Sequence, residues 1–344
     1  MYEYAPWATD VLKRILSNSS KSLPILDLQF GGACNLNCIY CDTPKYKYPC
    51  LLDLEAIEKI ISNGNIQWVY ACGLGEPTVK ASNGYAFKKV LAMCKANSVK
   101  VSVFSNIVDL DDELLQYIDD GTLHVLFKLD SFEPDVMSYL YGVDRSETIL
   151  QNYEKLKEVI HIKNGTTNLG ASIVPNAKNR KELCKIIDFC MEYGIYPLLG
   201  QLEDAGKCAS IFDELKVDDN ELLALRQYIK DKYGVDYQMP ICPATISGIH
   251  ITNTNKVIVD ERTGLSCGWF WLDEPKMIEI GNIIDMSAEE ITSKIMAYRK
   301  AKLADVICIE KSLKTNPFGG CGGDAKTLLQ QYIRLSRRCS YEDD

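Results

Sequence analysis

From residue 25 to about residue 232 the chain alternates short β-branched or apolar runs with longer stretches whose apolar residues recur at helical spacing. That rhythm is the pattern of successive β/α units around a parallel sheet. Six units are read, with strands at 25–29, 67–72, 100–104, 123–129, 169–174 and 195–200 and helices at about 54–62, 84–96, 111–118, 147–160, 181–193 and 218–233. Acidic residues stand at three helix starts: Asp53, the 109–112 run, and Asp218 with Asp219. There a carboxylate meets orphan backbone N–H groups and the positive end of the helix dipole. One more helix, at about 9–17, precedes the first strand. After residue 237 the rhythm changes. Residues 248–252 and 256–260 read as short strands around Asn253-Thr254-Asn255, followed by a helix at about 288–302, a glycine-rich stretch at 318–323 and a final helix at about 326–336. Residues 1–237 are therefore expected to form one α/β domain and 238–344 a smaller, differently built one.

The 344 residues suit one or two domains, and 47% hydrophobic with 25% charged residues excludes disordered and fibrous classes. No apolar run approaches a membrane span, and Met1-Tyr2-Glu3-Tyr4 lacks the basic start of a signal peptide, so a cytoplasmic protein without a membrane partner is expected. A net charge of −9 argues against nucleic acid, which needs a basic face. Cysteine is the outlier: 14 residues beside only three histidines. In a reducing compartment such an excess points to metal or redox chemistry. His124, His161 and His250 are widely separated, leaving little from which to build a Cys/His zinc finger or a histidine triad.

Directly after the first strand stands Gly31-Gly32-Ala33-Cys34-Asn35-Leu36-Asn37-Cys38-Ile39-Tyr40-Cys41, a C-x3-C-x2-C loop. Zinc or buried thiols are the alternatives; a closed zinc site wants four ligands, and Cys50 is the nearest candidate for a fourth. Three thiolates on one loop suit an iron-sulfur cluster with one iron left open for a substrate or cofactor. On these residues the chain resembles the radical S-adenosylmethionine (radical SAM) superfamily. Tyr40 matches the aromatic before the third cysteine, and Gly73-Leu74-Gly75-Glu76-Pro77 resembles the family's Gly-Gly-Glu-Pro, with the leucine as a departure. The resemblance implies a partial (β/α)6 TIM-like barrel. Cys34, Cys38 and Cys41 would hold a [4Fe-4S] cluster, and Gly73, Gly75 and Glu76 would approach the amino group of SAM. Ser105 and Asn106, and Lys128 and Asp130, end strands where the family places cofactor contacts; turn chemistry and a solvated rim pair are their alternative readings. The family's Arg-Gly is replaced by Tyr141-Gly142, leaving Lys128 or Arg145 as partner for the SAM carboxylate.

Cys242, Cys267, Cys308 and Cys321 have the count of a further complete cluster site, and the segment resembles the auxiliary-cluster domain of SPASM/twitch radical SAM enzymes. Cys308 and Cys321 have the spacing of an outer cysteine pair there, while Lys311 and Pro317 occupy the inner positions, so one auxiliary [4Fe-4S] cluster is expected, with Cys339 in reserve. Cys94, Cys184 and Cys190 read as packing residues and Cys50 and Cys72 as ambiguous. Cys208 follows the sixth strand and is the candidate hydrogen-atom donor if the reaction is an epimerisation, with an ordinary loop thiol as the alternative. Glu203 and Lys207 beside it are candidates for substrate binding or proton transfer. The resemblance implies an enzyme that oxidises or epimerises a small polar metabolite, a sugar, cyclitol or nucleoside, drawing electrons from a donor such as flavodoxin or ferredoxin. The alternatives are a peptide maturase, for which the roughly 24 residues before the first strand leave no room for a leader-binding domain, and a non-enzymatic iron-sulfur or zinc protein.

Overall fold

A computed structural model describes residues 1–18, 23–41, 49–71, 73–238, 242–266 and 276–312, with 326, 329, 330 and 332–334 of a last helical stretch. The chain opens with β1 (Glu3–Tyr4) and α1 (Thr9–Asn18) and then runs β2 (Ile25–Leu28), α2 (Leu54–Asn63), β3 (Trp68–Ala71), α3 (Asn83–Ala96), β4 (Lys100–Ser105), α4 (Asp112–Asp119) and β5 (Leu123–Lys128). The middle holds α5 (Pro134–Tyr141), α6 (Ser146–Glu158), β6 (Ile162–Lys163), β7 (Thr166–Thr167), β8 (Leu169–Ile173), α7 (Leu183–Tyr193) and β9 (Tyr196–Leu199). It continues through α8 (Phe212–Leu215), α9 (Asp219–Tyr233), α10 (Pro243–Ser247), β10 (Gly248–Ile251), β11 (Lys256–Asp260), β12 (Met277–Asn282) and α11 (Ala288–Ser312).

One sheet has the order β12-β11-β10-β2-β3-β4-β5-β8-β9, and its run from β2 to β9 is parallel throughout, each strand returning through a helix. This is the parallel β/α sheet that the six units predicted and the partial TIM-like barrel that the resemblance implied. Asp53, Asp111 and Asp218 cap α2, α4 and α9 through their carboxylates, as their positions promised. Strand β10 pairs in parallel with the outer side of β2, and β11 and β12 follow antiparallel. The change of rhythm after 237 thus marks a change of connection, while the sheet itself runs on. The turn asparagines act beyond the hairpin: Asn255 accepts from Asp53 N at 2.7 Å and donates to Leu51 O at 2.9 Å, and Asn253 donates to Pro49 O at 3.0 Å.

Alternation along the strands separates two cores. Leu26, Leu28, Val69, Val101, Ile249 and Ile251 face the helices. Ile25, Trp68, Tyr70, Leu126, Tyr196 and Leu198 turn into the lumen and pack with Tyr4, Trp7 and Ile15 from the N-terminal segment. Since Ile25, Trp68 and Tyr196 begin their strands, this cluster closes the N-terminal end of the barrel. A small sheet, β1-β7-β6, holds the plug in place. Besides the short elements β1, β6, β7, α8, α10 and β12, which were not expected, two helices depart from expectation. Helix α5 is short, with Pro134 in its first turn and Gly142 in the left-handed conformation after it, too brief for periodicity to show. Helix α11 continues to Ser312, placing Cys308 within a helix instead of beyond one.

Candidate functional site

The cysteine loop leaves β2 at the open, C-terminal end of the barrel, where three neighbouring segments hold it. From the start of α3, Asn83 accepts from Gly31 N at 2.9 Å and donates to Gly31 O at 2.8 Å and Glu76 O at 2.9 Å, joining the loops after β2 and β3. Gly75 sits at φ +67°, and a Cβ there would stand 2.5–2.7 Å from Gly31 O, Gly32 C and Ala33 O, so the two loops touch only because the residue is glycine. The last carbonyls of α5, which a helix leaves without intrahelical partners, accept from the cysteine loop: Asn37 N to Tyr141 O at 2.8 Å and Ile39 N to Leu140 O at 3.0 Å. Gly142, at φ +64°, has Asn37 O 2.3 Å from the position of a Cβ. The Tyr141-Gly142 pair is therefore the seat of this loop. Lys207 closes the other side, its N–H on Cys41 O at 3.1 Å and its Nζ on Asn37 Oδ1 at 2.5 Å.

Cys34 is exposed on this loop and Cys38 and Cys41 are half-buried. Desolvation, then repulsion from Glu76, Cys38 and Cys41, pushes the Cys34 thiol up to about 11 against a hydrogen bond from Leu36 N. Thiols raised in this way become thiolate ligands when positive iron offsets their charge. Among the described residues no three Cys, His, Asp or Glu side chains converge as ligands of a single metal ion would. A four-iron cluster asks for thiolates spread over separate irons, and three cysteines on one loop within electrostatic reach of one another fit that demand.

Behind the loop, Glu76 is 3% exposed. Its Oε1 accepts from Thr78 N at 3.2 Å and from Thr78 Oγ1 and Ser105 Oγ at 2.8 Å each, and its Oε2 accepts from Asn106 N at 2.7 Å. Burial raises this carboxyl above its ordinary range while those donors pull it back. Glu76 and Ser105 thus tie the end of β3 to the end of β4, which leaves Asn106 aimed at the cysteine loop: its Nδ2 donates to Asn35 Oδ1 at 2.7 Å and lies 3.8 Å from Cys34 Sγ. The Nδ2 of Asn35 is itself buried and has no partner among the described residues, a donor held ready beside Cys34. Gly73, at φ +105°, lies against the side chain of Gln29.

Asp130 is fully buried. Its carboxylate accepts from the Tyr40 hydroxyl, from Lys128 Nζ at 3.0 Å and from Val174 N at 2.8 Å, while its N–H donates to Tyr141 Oη at 3.3 Å. Lys128 stands 4.5 Å from the Tyr40 ring centre and 5.3 Å from that of Tyr141. Desolvation pulls its ammonium down, but Asp130 and Cys38 outweigh this and hold it above its ordinary value. A half-buried Lys128 and a fully buried Asp130 thus form a pair clamping the aromatic of the cysteine loop, while Arg145 is exposed at the start of α6. Cys208 is buried among Leu202, Leu215, Ile39 and Tyr40, and Glu203 is half-buried nearby in the same loop. In the C-terminal part, Cys242 packs beside Ala244 against the closed-end cluster and Cys308 is exposed on α11. Cys267, Cys321, Cys339 and Cys72 lie outside the described residues. Asn83 escaped sequence reasoning, its only local signal being an amide residue at a helix start, and Tyr141 entered it only as a departure from the family's Arg-Gly.

Residues 28–190 match the radical SAM superfamily model. The chain is 20% identical over 306 residues to GTP 3',8-cyclase of Clostridium botulinum (strain Okra / Type B1), covering 82% of this chain and 91% of that protein. Its fold resembles Streptococcus suis SuiB bound to precursor peptide SuiA, with a TM-score of 0.52 and 16% identity over 75% of this chain and 62% of that one, so the chain spans about three fifths of SuiB. It also resembles native anSMEcpe with bound AdoMet and Cp18Cys peptide, with a TM-score of 0.52 and 14% identity over 92% and 98% of the two chains. Among the described residues no helix is long and apolar enough to cross a membrane. Residues 28–190 are a radical SAM domain, and the protein is a radical SAM enzyme whose cofactors are a [4Fe-4S] cluster and S-adenosylmethionine.

Proposed function

We propose that Cys34, Cys38 and Cys41 hold the cluster, that the Gly73–Glu76 loop, Asn106 and the Asn35 amide line the SAM position, and that the substrate is a small polar metabolite in the lumen. When bound, the reduced cluster and SAM supply a 5'-deoxyadenosyl radical that takes a hydrogen atom from a substrate carbon. The residues of the chain do the rest. Asn83, Gly75 and the end of α5 fix the loop, Asp130 and Lys128 fix Tyr40, and the plug of Tyr4 and Trp7 keeps water out from below. The observation carrying this reading is the closed lumen beneath three thiols mounted at its mouth. Peptides bound to SuiB and anSMEcpe support a peptide substrate as the second reading, whereas the name of the cyclase relative supports a nucleotide. Buried polar residues on the lumen face of β2 and β10, namely Asp27 and His250, favour the small polar substrate.

Cys208 faces Leu202, Leu215 and Tyr40, which favours oxidation over epimerisation as the outcome. One auxiliary cluster held by Cys242, Cys267, Cys308 and Cys321, and electron supply from a flavodoxin- or ferredoxin-like donor, complete the proposal. Its test is anaerobic reconstitution and reduction, with 5'-deoxyadenosine as the readout. Iron and sulfide bind, SAM is cleaved, and replacing any of Cys34, Cys38 or Cys41 by alanine abolishes cleavage; zinc binding alone, or cleavage that survives these changes, sinks the reading. Product that persists in Cys208→Ala supports oxidation, and product lost while 5'-deoxyadenosine persists restores epimerisation.

A further inference from the structure

Strand alternation places Asp27 on the lumen side with Ile25, between the outward-facing Leu26 and Leu28. On β10, Ile249 and Ile251 face outward, so His250 faces the lumen as well, and the parallel register sets it opposite Asp27. The two side chains meet: His250 Nδ1 lies 2.6 Å from Asp27 Oδ2, with both residues 4% exposed. The other ring nitrogen, Nε2, is buried and has no hydrogen-bond partner among the described residues. A buried nitrogen left in this state costs roughly 1–3 kcal/mol, so an orphan on the lumen face of β10 asks for an explanation.

We propose that His250 Nε2 is the substrate-facing atom of an Asp–His dyad that accepts a hydrogen bond from a hydroxyl of the substrate. This inference rests on the small-polar-substrate reading above and deepens it by naming the group recognised. Asp27 is a positioning residue: an ionised carboxylate at 2.6 Å keeps the ring proton on Nδ1, which leaves the Nε2 lone pair open to a donor. The same pair can take the proton outright. The O–H bond breaks, the Nε2–H bond forms, the electron pair stays on oxygen, and the imidazolium charge is met by Asp27. A carbon bearing such a hydroxyl suits an oxidation in which the 5'-deoxyadenosyl radical takes the hydrogen atom of that carbon, Nε2 takes the hydroxyl proton and the auxiliary [4Fe-4S] cluster proposed above takes the remaining electron, leaving a carbonyl. Residues 27 and 250 belong to strands that pair only in the folded chain, which is why the histidine shortage concealed the dyad.

The test uses the full-length reconstituted enzyme with SAM and three probes, myo-inositol, glucose and guanosine, by anaerobic calorimetry. At least one probe binds the wild type saturably, and His250→Phe weakens it at least about tenfold, equivalent to about 1.4 kcal/mol. His250→Gln keeps a donor for Asp27 and serves where the phenylalanine variant does not fold; it too binds the probe more weakly. In 15N-histidine spectra of the oxidised enzyme, Nε2 of His250 is unprotonated and shifts as the probe binds, and Asp27→Asn removes the tautomer preference. Binding of no probe, equal affinity in the wild type and the His250 variants, or a proton on Nε2 would overturn the inference, leaving the dyad a latch between β2 and β10. Cleavage of SAM by the wild type is measured separately, so loss of the radical reading and loss of the dyad are distinguishable.

Discussion

At the closed end of the lumen the space is filled by rings: Trp7 lies 5.4 Å from Tyr4 edge to face, and His124 lies 5.1 Å from Trp68. At the open end, polar side chains do the joining: Glu76 and Asp130 each accept from several backbone or side-chain donors on different loops, and Asn83 accepts from Gly31 N while donating to the carbonyls of Gly31 and Glu76. The contrast separates two tasks. Aromatic packing excludes water and supplies stability through area, without fixing where any one atom must stand. Hydrogen bonds from buried side chains contribute less per contact but set positions, and a cofactor whose reacting atom must lie within reach of a substrate carbon needs positions.

The contrast is testable by injuring each end in turn. Trp7→Ala should produce the largest change, a stability loss of about 3–5 kcal/mol in denaturant unfolding, with the molecules that stay folded still cleaving SAM. Equal loss of cleavage per folded molecule would show that the plug also positions the mouth. Gly75→Ala forces the loops after β2 and β3 apart, and we expect a fall of about a hundredfold in 5'-deoxyadenosine formation with a smaller loss of stability. Near-normal turnover in that variant would remove the close approach from the mechanism.

His124 gives a pH-dependent view of the closed end. Burial, followed by the nearby Lys100 charge, lowers its pKa to about 3, so the native state holds it neutral. Its contribution is fully present above the unfolded value of about 6.5 and is lost as pH falls towards 3. Between pH 7 and pH 5 the wild type should therefore lose about 2 kcal/mol more than His124→Gln; parallel pH profiles would show that the ring is not held neutral in the plug. Lys207→Met should have the smallest effect, about 1 kcal/mol, with less than a tenfold change in SAM cleavage. A larger drop would move Lys207 from support of the cysteine loop to the substrate.

The six strands were legible within one or two residues because β-branched runs such as Lys100–Ser105 and Leu123–Lys128 are bounded by capped helices, and caps and periods are local signals. The cysteine triplet and the glycines at 73 and 75 were legible for the same reason. Helix α5 was not, being eight residues long with its period hidden by a proline start. That one omission concealed why Tyr141-Gly142 follows it: the helix end and its glycine form the seat for Asn37. The Lys128–Asp130 pair, which spacing alone left open to a solvated rim pair, proved to be drawn inward, with Lys128 half-buried and Asp130 fully buried because Tyr40 and Val174 close over its carboxylate from loops far along the chain.

By itself, then, the amino-acid order determined the β/α rhythm, the loop that carries Cys34, Cys38 and Cys41, and the chemistry those thiols point to, because periodicity and spacing act over a few residues. Tertiary structure alone decided that the C-terminal hairpin extends the barrel sheet, that Asn83 and Gly75 lock two loops together, and that His250 finds Asp27 at a separation of 223 positions. Such meetings depend on strand order and register, which are set by the burial of whole faces and by no short stretch of sequence.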